Sequence, residues 1–207
     1  MSEKYEIKIL TLGYTDVGKT SILLRFTKNT FHDKYVSTIG IDFKGRTLTL
    51  GNNTIVKVVV YDTAGQERYK GLVKSFYKKA DGILLTFDLC NKESFDKLDF
   101  WVKELKEYTG LQDLYIVLVG NKNDKKEERK ISYEEAKEYA KKNNFEGYYE
   151  VSAKLDEGGG INNLFFDVTK GTLKKILMKN KEDDGQQNIR LSICEMKEIK
   201  EKNKACC

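Results

Sequence analysis

The sequence has no proline, one histidine and one tryptophan among 207 residues. An average chain carries roughly 5% proline, so the 16 glycines must do most of the turning. No run of about 18 apolar residues occurs, which excludes a membrane-spanning helix by sequence. The opening MSEKYEIKIL lacks the apolar stretch of a secretory signal, so a secreted protein is not expected. Cysteine is scarce, at four residues. Cys90 ends an apolar run and reads as a small buried hydrophobe. Cys194 stands alone among polar residues. Cys206 and Cys207 are adjacent, with neither CxxC spacing nor a nearby histidine, so neither a zinc site nor a disulfide framework is expected. Charge of one sign is not in excess either. The chain has 37 Lys and Arg against 32 Asp and Glu, net +5, which does not favour a nucleic-acid binder, and no nucleic-acid partner is expected.

What is present suits a globular chain: 40% apolar and 11% aromatic residues. The length bounds one domain with some chain left over. Tyr5 to Leu12 puts Ile7 and Ile9 on one side and Leu10 and Leu12 on the other, a strand apolar on both faces as in a covered parallel sheet. Ser21 to Phe26 has helical spacing. Ile41 to Leu50 and Thr54 to Tyr61 read as strands joined through Gly51-Asn52-Asn53, a hairpin. A change of apolar phase near Gly45 predicts a bulge. Gly82 to Leu89 and Leu114 to Val119 are buried strands, and Phe145 to Val151 is a last short one. Ser94 to Tyr108 is an amphipathic helix with Phe95, Leu98, Trp101, Val102 and Leu105 on one stripe. Ser132 and Glu135 form a capping box that starts a helix to about Lys142. Gly158 to Gly160 is a loop, and Ile161 to Met178 is a final helix. Strands alternating with helices predict an α/β doubly wound sheet, six-stranded and mostly parallel, with one antiparallel edge strand and helices on both faces. Ligands in such sheets bind beyond the carboxyl ends of the strands.

Gly13-Tyr14-Thr15-Asp16-Val17-Gly18-Lys19-Thr20 fits G-x-x-x-x-G-K-[ST] between a predicted strand and a predicted helix, the context a phosphate-binding loop requires. Glycines let backbone N–H groups curl around an anion, and the helix N-terminus adds partial positive charge. Lys19 would reach the β- and γ-phosphates, and the Thr20 hydroxyl would ligate Mg²⁺. Thr15, Asp16, Val17, Gly18 and Ser21 complete the candidate contacts, with the Asp16 carboxylate turned to solvent away from phosphate.

Asn121-Lys122-Asn123-Asp124 follows the strand that ends at Gly120. Guanine presents two adjacent donors where adenine presents an acceptor, so a carboxylate at Asp124 selects guanine. Ser152-Ala153-Lys154 follows the last strand, where a backbone N–H could meet guanine O6. Asp62-Thr63-Ala64-Gly65-Gln66 follows the strand ending at Tyr61. Asp62 is placed to hold Mg²⁺ through water, Gly65 to donate to a γ-phosphate, and Gln66 to orient an attacking water. Thr38 would complete the metal shell only with the γ-phosphate present, an order–disorder switch. The catalytic candidates are thus Gln66 and Lys19, and the metal candidates are Thr20, Thr38 and Asp62.

GYTDVGKT at 13–20, STIGIDF at 37–43, DTAGQER at 62–68, NKND at 121–124 and SAK at 152–154, with two terminal cysteines, closely resemble the Rab branch of the Ras-like small GTPases. The resemblance covers nearly the whole chain. It implies a P-loop NTPase of small G-protein type that binds GTP or GDP with Mg²⁺. It implies that Phe31 packs against guanine and that Tyr35 sits near the phosphates. It also implies that effectors read a surface of Ile39, Ile41, Phe43, Tyr61 and Phe76. Tyr61 stands where the family usually has Trp, and Lys70-Gly71-Leu72-Val73 replaces a more polar segment. Further implications are slow intrinsic hydrolysis raised by a GTPase-activating protein, an exchange factor, a GDP-dissociation inhibitor and a prenylation machinery. Cys206 and Cys207 would carry geranylgeranyl groups that anchor a monomeric catalytic domain to the cytoplasmic face of intracellular membranes, cycling with the cytosol. The domains implied are a GTP-binding domain over 1–179 and a flexible tail over 180–207.

Overall fold

A computed structural model describes residues 4–33, 40–63, 70–109 and 113–181. Six strands form one sheet: β1 (Lys4–Leu12), β2 (Ile41–Thr49), β3 (Ile55–Thr63), β4 (Gly82–Asp88), β5 (Tyr115–Asn121) and β6 (Gly147–Glu150). Their order is β2-β3-β1-β4-β5-β6. Only the β2–β3 pair is antiparallel, so the expected mostly parallel sheet with an antiparallel edge is present. Packed around it are α1 (Lys19–Lys28), α2 (Lys70–Tyr77), α3 (Lys92–Asp96), α4 (Leu98–Tyr108) and α5 (Tyr133–Lys142). A last helix, α6, covers 160–181. The chain divides into two compact units, Met1–Thr172 and Leu173–Cys207. The residues of the second unit that the structure describes are helical. No helix of the described residues is long and apolar enough to cross a membrane.

The sheet's centre is apolar on both faces because helices cover it. β4 is buried along its whole length, and Ile7, Ile9, Leu10 and Leu12 of β1 are fully buried. Helix α1 buries Ile22, Leu23 and Phe26, and the Phe26 ring stacks on Phe165 with centroids 3.8 Å apart. Strand order reverses at β1: the chain first builds β3 and β2 on one side, then β4 to β6 on the other. The loop after β1 therefore opens where a crevice forms, at the switch point of the sheet.

Five local expectations need correction. The β2–β3 register runs without interruption from Ile41 opposite Thr63 to Thr49 opposite Ile55, so there is no bulge at Gly45. The change of phase reflects an edge strand exposed or half-buried at every position, where neither face enforces alternation. The helix expected over Ser94 to Tyr108 starts earlier and is broken at Lys97. Asn91 caps α3 by accepting from Ser94 N–H, and the Ser94 hydroxyl bonds Asp88 and Asn91 carbonyls. That ties α3 to the end of β4. Helix α4 restarts in a direction that buries Leu98, Trp101, Val102 and Leu105. Helix α2 has no counterpart in the sequence reading. Cys90 is half-buried, near enough to solvent that its thiol lies 3.6 Å from the Lys125 carbonyl at the surface. The capping box is half formed. Ser132 Oγ accepts from Glu135 N–H at 3.1 Å, but the Glu135 carboxylate pairs with Lys92 at 2.6 Å.

Candidate nucleotide-binding site

The loop between β1 and α1 is shaped by two glycines. Gly13 has φ +144°, and a Cβ there would lie 2.0 Å from the Thr86 carbonyl oxygen. Gly18 has φ +90°, and a Cβ there would lie 2.2 Å from Asn121 Nδ2. No side chain fits either place, so the loop can pass β4 and β5 only as glycine. Asp16 also takes a positive φ, 58°, which Asp tolerates better than most residues. Its side chain is exposed. Val17 is buried, and Thr15 and Ser21 are half-buried.

Lys19 turns back into the loop it follows. Its ammonium donates to the Gly13 carbonyl at 2.9 Å and the Tyr14 carbonyl at 2.7 Å. Burial pushes its pKa down to about 8, while Asp62 and Asp16 act in the opposite direction. The next residue reaches the third strand: Thr20 Oγ1 donates to Asp62 Oδ2 at 2.6 Å. Thr11 Oγ1 approaches Asp62 Oδ1 at 3.4 Å. Burial raises the Asp62 pKa, opposed first by the Thr20 hydrogen bond and then by the charge of Lys19. Both partners are thus pulled toward neutrality by desolvation and held charged by each other.

On the other side of β1, Asn121 ends β5 and joins two loops. Its Nδ2 donates to the Val17 carbonyl at 2.9 Å. Its Oδ1 accepts from Ala153 N–H at 3.1 Å. Lys122 has φ +66°, and its ammonium lies 2.9 Å from Asp88 and 3.7 Å from Asp16. Asp124 Oδ1 accepts from Ser152 Oγ at 2.5 Å, and Ser152 Oγ in turn accepts from Leu155 N–H at 2.8 Å. Lys154 is exposed and pairs with Asp33 at 3.3 Å. Phe31 is half-buried on the loop that carries Asp33.

Beside this crevice, Phe43 is 69% exposed on the edge strand. It stands opposite Tyr61 in the β2–β3 register. The Tyr61 ring packs on Phe76 with centroids 5.0 Å apart. Ile41 is half-buried against the core. Tyr61 therefore neighbours both Phe43 and Phe76. Tyr35, Thr38, Ile39, Gly65, Gln66, Cys194, Cys206 and Cys207 lie outside the described residues, as does 182–207 of the expected tail.

Sequence reading missed three polar residues here. Thr11 looked like a strand residue, and Asp88 like the end of a buried run. Arg25, in the last turn of α1, bonds both the Ala153 and Lys154 carbonyls. Its only sequence signal was a cation near a helix C-terminus, which favours any such position.

A glycine-shaped loop at the switch point, a buried lysine within it, and a loop aspartate beyond β5 define a P-loop nucleotide-binding protein. The Ras family profile matches residues 8–192. The chain is 43% identical over 153 residues to Ras-related protein Rab-18 of Lymnaea stagnalis, covering 73% of this chain and 74% of that one. It is 39% identical over 173 residues to Ras-related protein Rab-1 of Theileria parva, covering 83% and 76%. It is 36% identical over 193 residues to GTP-binding protein YPT1 of Saccharomyces cerevisiae, covering 90% and 91%. The chain belongs to the Ras family, in its Rab branch. It is accordingly a small GTPase that binds guanine nucleotide and hydrolyses GTP to GDP and phosphate, one of the switches of vesicle trafficking.

Proposed function

We propose that the phosphates of GTP lie in the loop from Gly13 to Ser21, with Lys19 at the β- and γ-phosphates and the guanine against Asp124. The observation that carries this reading is the 2.6 Å Thr20–Asp62 hydrogen bond beside the buried Lys19 ammonium. It joins the start of α1 to the end of β3, so two oxygen ligands meet next to the residue whose ammonium lies in the loop. Phosphate would stabilise the charge on Lys19 by replacing carbonyl dipoles with an anion. Asp124 keeps one carboxylate oxygen on Ser152 and has a second for guanine donors. Asn121, Lys122 and the Ser152–Lys154 loop support the base, and Phe31 covers it.

The donor set also fits magnesium. Thr20 and Asp62 offer hard oxygen ligands, and the described residues contain no group of three or more His, Cys, Asp or Glu that could hold a metal alone. Phosphates and water would supply most of the remaining positions, the usual arrangement for Mg²⁺. Thr20, Asp62 and Thr38 would hold it, and it would neutralise phosphate charge.

Gln66 orients the attacking water, since its amide carries both a donor and an acceptor. Gly65 and Thr38 register the γ-phosphate and release on hydrolysis. An activating protein that supplies an arginine would raise turnover by roughly 10³–10⁵. Effectors read Ile39, Ile41, Phe43, Tyr61 and Phe76 in the GTP state. An exchange factor reloads the nucleotide, and a GDP-dissociation inhibitor extracts the GDP form. Geranylgeranyl groups on Cys206 and Cys207 hold the protein on the cytoplasmic face of intracellular membranes, because one lipid chain gives only marginal binding and two give stable anchoring. The test is single-turnover hydrolysis of labelled GTP with activating protein present. Gln66→Leu is expected to stay in the GTP state. Wild-type turnover by that variant would overturn the role given to Gln66.

A further inference from the structure

Arg25 belongs to none of the nucleotide motifs, yet it makes four hydrogen bonds between two segments far apart in the chain. Its Nε donates to the Ala153 carbonyl at 3.0 Å and its Nη2 to the Lys154 carbonyl at 2.9 Å. Its Nη1 donates to the Asn29 carbonyl and to Asn29 Oδ1, both at 3.2 Å. Asn29 is the C-cap of α1, with φ +51°, and its N–H returns to the Arg25 carbonyl at 3.0 Å. One guanidinium therefore closes the helix end and grips the loop that follows β6. Among the described residues it makes no ion pair with a carboxylate. Its charge is directed wholly at carbonyl oxygens, where a charged donor binds about twice as strongly as a neutral one.

We propose that Arg25 is a positioning residue that sets guanine affinity by orienting the Ser152–Lys154 backbone. A trans peptide points its carbonyl and its N–H in opposite directions. Holding the Ala153 carbonyl against α1 turns the Lys154 N–H the other way. The neighbouring amides are already engaged: Ala153 N–H with Asn121 Oδ1 and Leu155 N–H with Ser152 Oγ. Arg25 thus orients two peptide planes of this loop: Leu155 N–H goes to Ser152 Oγ, Lys154 N–H is turned away from α1, and a donor in this loop is what guanine O6 requires. Asn121 and Asp124 hold Ala153 N–H and the Ser152 hydroxyl, and the Lys154–Asp33 ion pair joins side chains that are 53% and 81% exposed. Such a pair contributes little, so the carbonyls of Ala153 and Lys154 are held chiefly by the guanidinium.

The inference rests on the reading that this loop meets O6. The test uses the full chain and measures affinity for GDP and for 2-aminopurine riboside diphosphate, which lacks O6 and the N1–H but keeps the 2-amino group, so the readout is the change each variant makes on each ligand. Wild type is expected to prefer GDP. Arg25→Ala should weaken GDP binding about tenfold, the size of one well-placed hydrogen bond, and leave the analogue unchanged. Arg25→Lys, which keeps the charge and one donor direction, should recover part of the GDP preference. Asn29→Ala, which spares the loop contacts, should keep all of it. An equal loss for both ligands, or no loss for GDP, would overturn the role of Arg25. If Arg25→Ala does not fold, Arg25→Gln and Arg25→Lys carry the same comparison. Equal binding of both ligands by wild type would instead sink the O6 reading itself.

Discussion

Lys19 has a stability cost whose sign can be worked out. Its ordinary pKa of 10.5 falls to about 8 in the folded chain because burial disfavours the charged form. A base with a lowered folded pKa binds fewer protons when native. The penalty is therefore fully present below about 8 and fades as pH rises toward the unfolded value of 10.5. The drop corresponds to at most roughly 3 kcal/mol, and the two hydrogen bonds to Gly13 and Tyr14 carbonyls offset part of it. Lys19→Met, freed of nucleotide with EDTA and phosphatase, should be more stable than wild type by about 1 kcal/mol at pH 7. The difference should vanish near pH 10.5 in urea titrations. A variant less stable at pH 7 would mean that the carbonyl contacts outweigh desolvation. Residues of this kind are legible from a motif, because only a particular side chain at a particular spacing can do the chemistry. Arg25 was not legible, because its partners are backbone carbonyls more than a hundred residues away.

At the scale of elements, the sequence predicted strands better than helix ends. β4 and β5 are short apolar runs bounded by polar loops, and their positions followed directly. The interruption at Lys97 was invisible because the apolar stripe continues in phase across it. Just before the break, the Ser94 hydroxyl bonds the Asp88 carbonyl and ties α3 to β4, a contact that periodicity does not encode. Helix α2 escaped notice because it spans only Lys70–Tyr77 and includes Gly71, too short for a periodic pattern to stand out. The box at α5 gives a prediction of the same kind. Only the Ser132 half is formed, so Ser132→Ala should cost about 1 kcal/mol. Glu135→Ala removes a half-exposed pair with Lys92 and should cost less than about 0.5 kcal/mol. Thermal melts of the two single variants check the order. Equal costs would mean that Glu135 closes the box in solution.

At the scale of the whole molecule, the phosphate loop and the base loops are separate motifs in the sequence, and their spacing carries no sign of what joins them. Asn121 does so through two hydrogen bonds made by one buried amide, to Val17 at 2.9 Å and from Ala153 at 3.1 Å. A Cβ on Gly18 would strike that same amide, so the glycine and the asparagine are fitted to each other. Removing the amide leaves a buried carbonyl and a buried N–H without their partner, which should cost about 2–4 kcal/mol. The larger consequence concerns binding. A ligand that binds only the native state stabilises it by about 2.7 kcal/mol at a hundred times its dissociation constant. That gain requires phosphate and base contacts to form together on one rigid frame. Asn121→Ala should therefore lower the melting temperature of the nucleotide-stripped chain, and it should also move the GDP concentration needed for a given rise in melting temperature upward by about tenfold or more. A variant that melts earlier but keeps the wild-type dependence on GDP would reduce Asn121 to a core residue. A shifted dependence makes it the tie through which the two halves of the site act as one.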